Sequence, residues 1–277
     1  MPATARGHAA GHGNLLHPTL RVNRRRPGCL AAENLPTSSP VPPLPELHRW
    51  DLSPREAIEL QKSLRDRLTL RTPPRRLRTV AGADISFDKD DPTVYAGIVV
   101  LSIPDLAVVE EATVVTKATF PYVPGLLSFR EAPAILAVWE KLRTKPDAMM
   151  FDGQGIAHPR RFGIAAHVGL WLDRPTWGCA KSLLCGKYDE PATARGSRSP
   201  LVDKGETIGA VLRTKDDTNP VFISAGNHMD LDTAVDLTLR CGGGYRVPEP
   251  TRRAHLLVNA LRRGETQSDQ DTQISLL

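Results

Sequence analysis

The chain has 277 residues, 40% of them hydrophobic and 24% charged, enough for one large domain with a substantial core. Its 36 basic and 31 acidic residues leave a net charge of +5, a mild excess that suits a polyanionic partner without requiring one. No apolar run approaches the ~20 residues of a membrane span, and no apolar stretch follows the start as in a secretory signal. The four cysteines, Cys29, Cys179, Cys185 and Cys241, lack the spacing of a disulfide framework or a zinc ribbon, so a soluble, cytoplasmic protein with reduced thiols is expected.

Residues 1–50 are rich in proline, glycine and arginine and reach their first acidic residue only at Glu33. They read as a disordered basic leader able to add weak phosphate affinity. Order is expected from residue 51: Ser53 caps a helix, Pro54 takes its first position, and Glu56 completes a Ser-x-x-Glu box. Three segments rich in β-branched residues follow, "RTVAGADISF", "VYAGIVVLS" and "AVVEEATVVTK", separated by the turns "KDDP" and "IPDL". They predict an antiparallel meander.

A helix is then expected from Ser128 to Leu142, a short strand in "DAMMFDG", and a helix in "RRFGIAAHVGLWLD". The segments "TWGCAKS", "ETIGAVLRT" and "PVFISAG" predict further strands, "LDTAVDLTLRC" and "PEPTRRAHLLVNALRR" helices, and 264–277 a disordered tail. A meander followed by strand–helix alternation implies an α/β domain over 51–263, a mixed sheet flanked by helices.

Three carboxylates stand out. Asp84 lies mid-strand in apolar surroundings, where an unpaired charge costs several kcal/mol. Asp152 follows a hydrophobic strand and precedes a glycine loop, where open α/β sheets bind ligands. Glu131 begins the next helix, either as a third oxygen donor or as the partner of Ser128 in a capping box. Together they suit Mg²⁺, with Mn²⁺ as a substitute. Singly, Asp84 reads as a strand-end residue and Asp152 as a turn opener with Gly153.

The block "FDGQGIAHPRRFGIA" fails the dinucleotide fingerprint, because His158 stands where its third glycine would be. Its glycines still allow close approach of a flat ligand, with Arg160 and Arg161 beside it for phosphates or as a solvated helix start. Lys181 ends a strand, placed to neutralise an oxyanion or simply exposed. His228 lies in a loop before a helix that Asp230 or Asp232 caps.

The blocks "GADISF", "FPYVPGLLSFRE", "FDGQGIAHPRRFGIAAHVG", "AKSLLCG" and "ISAGNH", in this order from about residue 53 to 262, resemble the endonuclease V family, the deoxyinosine 3′-endonucleases. The resemblance implies a ribonuclease-H-like fold and a Mg²⁺-dependent DNA repair nuclease that cuts the second phosphodiester 3′ to deoxyinosine and leaves a 3′-hydroxyl and a 5′-phosphate; a monomer is expected. It implies that Asp84, Glu131 and Asp152 hold the metal and that Lys181 and His228 complete the active site. Tyr122, framed by Pro121 and Pro124, would be a wedge filling the gap left by an extruded base. Backbone around Gly125, Leu127, Gly153, Gly163 and Ile164, with His158 nearby, would line the hypoxanthine pocket. Two alternatives are an inosine-specific ribonuclease and a catalytically silent nucleic-acid-binding module, the latter leaving the three acids unexplained.

Overall fold

A computed structural model of the chain describes residues 46–71, 76–88 and 91–265. The leader up to residue 45 and the tail from 266 lie outside these residues. Helix α1, Pro54–Arg65, starts as the sequence dictates: Ser53 Oγ accepts from Glu56 N, and a Glu56 carboxylate oxygen takes Ser53 N–H at 2.8 Å. Such a cap contributes about 1 kcal/mol. The expected start of order at residue 51 is too late. Trp50 stacks on Trp171 with ring centroids 4.7 Å apart, His48 Nε2 meets His167 Nε2 at 2.7 Å, and Leu47 packs against the core.

The strands β1 (Thr79–Phe87), β2 (Thr93–Ser102) and β3 (Val108–Lys117) form the antiparallel meander. After helix α2 (Leu127–Lys141), β4 (Ala148–Phe151) pairs parallel to β1, and after helix α3 (Ile164–Leu172), β5 (Thr176–Ala180) pairs parallel to β4. Three more strands follow, β6 (Arg198–Asp203), β7 (Glu206–Leu212) and β8 (Val221–Ala225), then helices α4 (Leu231–Arg240) and α5 (Glu249–Arg263). The described strands make one mixed sheet of eight, in the order β3-β2-β1-β4-β5-β8-β7-β6. β6 was not expected. It carries Pro200 and sits at the sheet's edge, where a missing N–H is tolerated but the strand signal in the sequence is weak.

Alternation along β1 sends side chains to two cores. Ala81, Ala83 and Ile85 face α2 and α3, while Val80, Gly82, Asp84 and Ser86 face α5. Gly82 is required there, since a Cβ would lie 1.9 Å from the Pro250 carbonyl oxygen, so only glycine lets α5 settle against β1. Trp177, Met150 and Ile223 on the α4–α5 side and Phe151, Met149 and Ile98 on the other are essentially inaccessible to water. Burying one such side chain contributes about 1.5–3 kcal/mol. Among the described residues no helix is long and apolar enough to cross a membrane, and Cys179, Cys185 and Cys241 are free thiols.

Candidate active site

The parallel pairing of β1 with β4 ends at Ala83 opposite Phe151. The next residue on each chain is an aspartate, so the register carries Asp84 and Asp152 to adjacent positions, on strands about 4.8 Å apart. Glu131 joins them from α2. Its carboxyl is pushed up to about 8, by burial first and then by the charges of Asp84 and Asp152. Burial likewise raises Asp152, opposed by its hydrogen bond to Lys181. Three acids so close cannot all ionise freely without a compensating charge.

The capping reading of Glu131 does not hold. Helix α2 starts at Leu127, which puts Ser128 inside the helix, hydrogen-bonded to His167 Nδ1 at 2.9 Å, and moves Glu131 past the first turn. Nothing in the cap competes for its carboxylate.

Lys181, one residue beyond β5, meets Asp152 at 2.5 Å. His228 is elsewhere. It follows β8, which runs antiparallel to β5, so the loop carrying it leaves the sheet at the edge opposite Asp152 and Lys181. There it bonds to Asp173 at 2.7 Å, at the far end of α3 from Ile164. The histidine at the carboxylates is His255 on α5, whose Nδ1 lies 2.8 Å from Asp84 Oδ2. Asn259, one helical turn on, offers its amide N–H to His255 Nε2 and takes the Ser86 hydroxyl on its oxygen. His255 was invisible in the sequence because only the docking of α5 on β1 joins positions 84 and 255. The one local sign was a His and Asn four apart on a helix, one polar stripe.

The loop before α2 is held rigidly. Gly125 adopts φ +77°, a backbone state other residues reach only with strain, and its carbonyl accepts from Gln61, His158 and Arg160. Arg130 takes the Phe120 carbonyl at the loop's other end. Between these anchors Tyr122 projects outward, 71% exposed, with Pro121 and Pro124 also exposed, so core packing does not account for the ring.

Behind Tyr122 lies a cavity of about 420 Å³, in the size range of small-molecule sites. Pro124, Gly125 and Leu127 form one wall, and Gly153, Gly163, Ile164 and His158 another. Asp152 and Lys181 border it, and Leu183 and Leu184, both exposed, complete its rim. His158 is a brace as much as a wall, its Nε2–H donating to Gly125 O and its Nδ1 accepting from Arg160 N. Burial, with the Arg160 charge, drives its pKa down to about 4. The two arginines of this loop precede α3 instead of opening it, and neither is free for phosphate. Arg160 binds Gln61 and Gly125, and Arg161 pairs with Asp203 and Glu206.

As the side chains stand, Asp84 and Asp152 turn to His255 and Lys181, and among the described residues no three acidic, imidazole or thiol groups close around one point. The chemistry of the donor set still fits a hard divalent cation: three carboxylates at one sheet edge, one kept protonated by burial and by the charges of the other two, a repulsion that a cation would relieve.

The sequence model of the family described as Endonuclease V matches residues 59–256. An Endonuclease V of Myxococcus xanthus is 52% identical over 225 residues, covering 81% of this chain and 96% of that one. Among solved structures, that of Endonuclease V from Streptomyces avermitilis is 43% identical with a TM-score of 0.74, covering 78% of this chain and 96% of that chain. The Ciona intestinalis Endonuclease V, solved with a 24mer DNA containing an inosine followed by a ribo-adenosine, is 25% identical with a TM-score of 0.67, covering 76% and 98%. The mixed sheet and its flanking helices are thus the ribonuclease-H-like fold that the family resemblance implies. The chain belongs to the endonuclease V family, whose members are nucleases that in general depend on a metal.

Proposed function

We propose that this protein cleaves DNA at deoxyinosine, hydrolysing the second phosphodiester 3′ to the lesion and leaving a 3′-hydroxyl and a 5′-phosphate. The observation that carries the reading is the cavity itself, roofed by an exposed tyrosine on a pinned loop and bordered by the Asp152–Lys181 pair. Enzymes that must reach a single base, such as glycosylases and deaminases, take it out of the stack, and Tyr122, exposed beside the cavity, is placed to fill the gap. Ring stacking of this kind contributes about 1–3 kcal/mol per base. Inside the cavity, backbone at Gly125, Leu127, Gly153, Gly163 and Ile164 offers main-chain groups to a flat base edge.

Asp84, Glu131 and Asp152 would hold Mg²⁺, which when bound stabilises charge on the attacking and leaving oxygens of the phosphate. Lys181 neutralises charge on the scissile phosphate. His255, with a proton on Nδ1 against Asp84, takes the active-site place that the resemblance gave to His228, where it can move a proton. Binding by Tyr122 and the cavity orients the strand so that chemistry falls beyond the extruded nucleotide.

The test is cleavage of end-labelled DNA carrying one deoxyinosine, beside the undamaged strand and an RNA strand with one inosine, in Mg²⁺ and in EDTA. The reading expects a Mg²⁺-dependent nick one nucleotide beyond deoxyinosine in DNA and none in the undamaged strand. Cleavage of the RNA strand alone would transfer the activity to RNA, and binding without any nick would leave a silent binding module.

A further inference from the structure

The backbone at Lys181 is held by residues outside the site. Pairing of β5 with β8 ends at Ala180 opposite Phe222, and beyond that point the chain carrying Lys181 leaves the sheet. A carbonyl there has no ladder partner and needs another donor. Arg246, in the loop between α4 and α5, supplies it: its Nη2 donates to Lys181 O at 2.7 Å and to Pro220 O at 2.9 Å, and its Nε to Asn219 O at 2.8 Å. One guanidinium thus staples the end of β5 to the start of β8, and a planar fork of donors is the group suited to several carbonyls in one plane. The next carbonyl, Ser182 O, is taken by Gln154 Nε2 at 3.2 Å. The Arg246 loop is itself anchored separately, by Thr214 Oγ1 on the Arg246 carbonyl at 2.5 Å.

We propose that Arg246 is a positioning residue for the nuclease reaction: by clamping the Lys181 carbonyl where sheet pairing stops, it holds the lysine ammonium on Asp152, at the edge of the cavity. The proposal rests on the assignment of Lys181 to catalysis. A long flexible side chain meets its partner reliably only if its own backbone is fixed, and displacement by about 1 Å at a reacting centre costs on the order of 100-fold in rate. Arg246 acts through Lys181 and is not among the residues lining the cavity.

The experiment is a double-mutant cycle on the deoxyinosine strand with purified full-length protein, reading single-turnover rate, KM and DNA affinity in EDTA. Arg246→Gln is expected to lower the rate about 10–100-fold, with KM and affinity changed less than about threefold. In a Lys181→Ala background the same substitution costs less than about twofold more, because the two residues act as one unit. Arg246→Lys, which keeps a donor for the carbonyl, recovers part of the rate. Thr214→Val controls for loop anchoring: by removing one hydrogen bond to the Arg246 backbone it lowers thermal stability and lowers the rate by a smaller factor than Arg246→Gln does. Multiplicative losses in the Lys181→Ala background, a loss in affinity instead of rate, or an equal loss from Thr214→Val would each overturn the proposal. Absence of cleavage by the wild-type protein would instead remove the proposed function.

Discussion

Glu131 shows how three weakly marked residues become one site. Its carboxyl lies near 8 because burial and the neighbouring Asp84 and Asp152 all disfavour its charge. The metal-free protein therefore keeps this proton at neutral pH, and on the proposed metal assignment a divalent cation displaces it. Apparent affinity for Mg²⁺ is expected to rise with pH up to about 8 and then level, with close to one proton released per ion below that point. Calorimetry in buffers of different ionisation enthalpy reads this directly, and an affinity unchanged between pH 6 and 8 would contradict it. The sign for stability is opposite. Between the ordinary 4.5 and about 8 the folded protein binds more protons than the unfolded chain, so the metal-free fold loses stability as pH rises through that window. The histidines give a second residue-level test. His255→Ala is expected to lower turnover about 10²–10⁴-fold, the range of general acid–base contributions, whereas His228→Ala stays within about threefold. Equal losses from the two would contradict the placement of His255 at Asp84 and of His228 at Asp173.

Helix α5 contributes its histidine only because β1 lets it come close. The site's dependence on Gly82 follows, since any Cβ there would strike the Pro250 backbone. Gly82→Ala is expected to cost about 1–3 kcal/mol and to lower turnover as well, by moving His255 off Asp84. Thermal unfolding and single-turnover cleavage check both, and a variant unchanged in the two would refute the close approach. Most elements were legible in the sequence because each announces itself locally. The Ser53 box, the β-branched runs of β1 to β3, and the Pro-Tyr-x-Pro-Gly loop need no knowledge of distant residues. β6 was hidden by its proline, and the packing of residues 47–50 by their short, irregular pattern beside a polar leader. The fate of Arg160 and Arg161 was equally hidden, because their partners, Gln61, Asp203 and Glu206, come from α1 and the β6–β7 hairpin.

Across the molecule, the sheet order converts distant positions into one constellation. Asp84, Asp152 and Lys181 meet because β1, β4 and β5 are successive parallel neighbours whose ends share an edge. The same topology excludes His228, which follows an antiparallel strand and so leaves from the other edge. Spacing in the sequence could pick out the three acids as an anomaly, and family resemblance could propose them as a metal site, but neither showed which histidine lies beside them. That decision needed the antiparallel sense of β8 and the docking of α5. The central claim is that the acids at this edge carry the chemistry and the cavity carries the binding. Its most direct test is the single-turnover rate of nicking at deoxyinosine by Asp152→Asn, in Mg²⁺, at protein concentrations that match its DNA occupancy to that of the wild type. The account predicts a rate lower by at least about 10³-fold, a loss of several kcal/mol of transition-state stabilisation, with affinity in EDTA nearly unchanged. Turnover near that of the wild type at equal occupancy would contradict it.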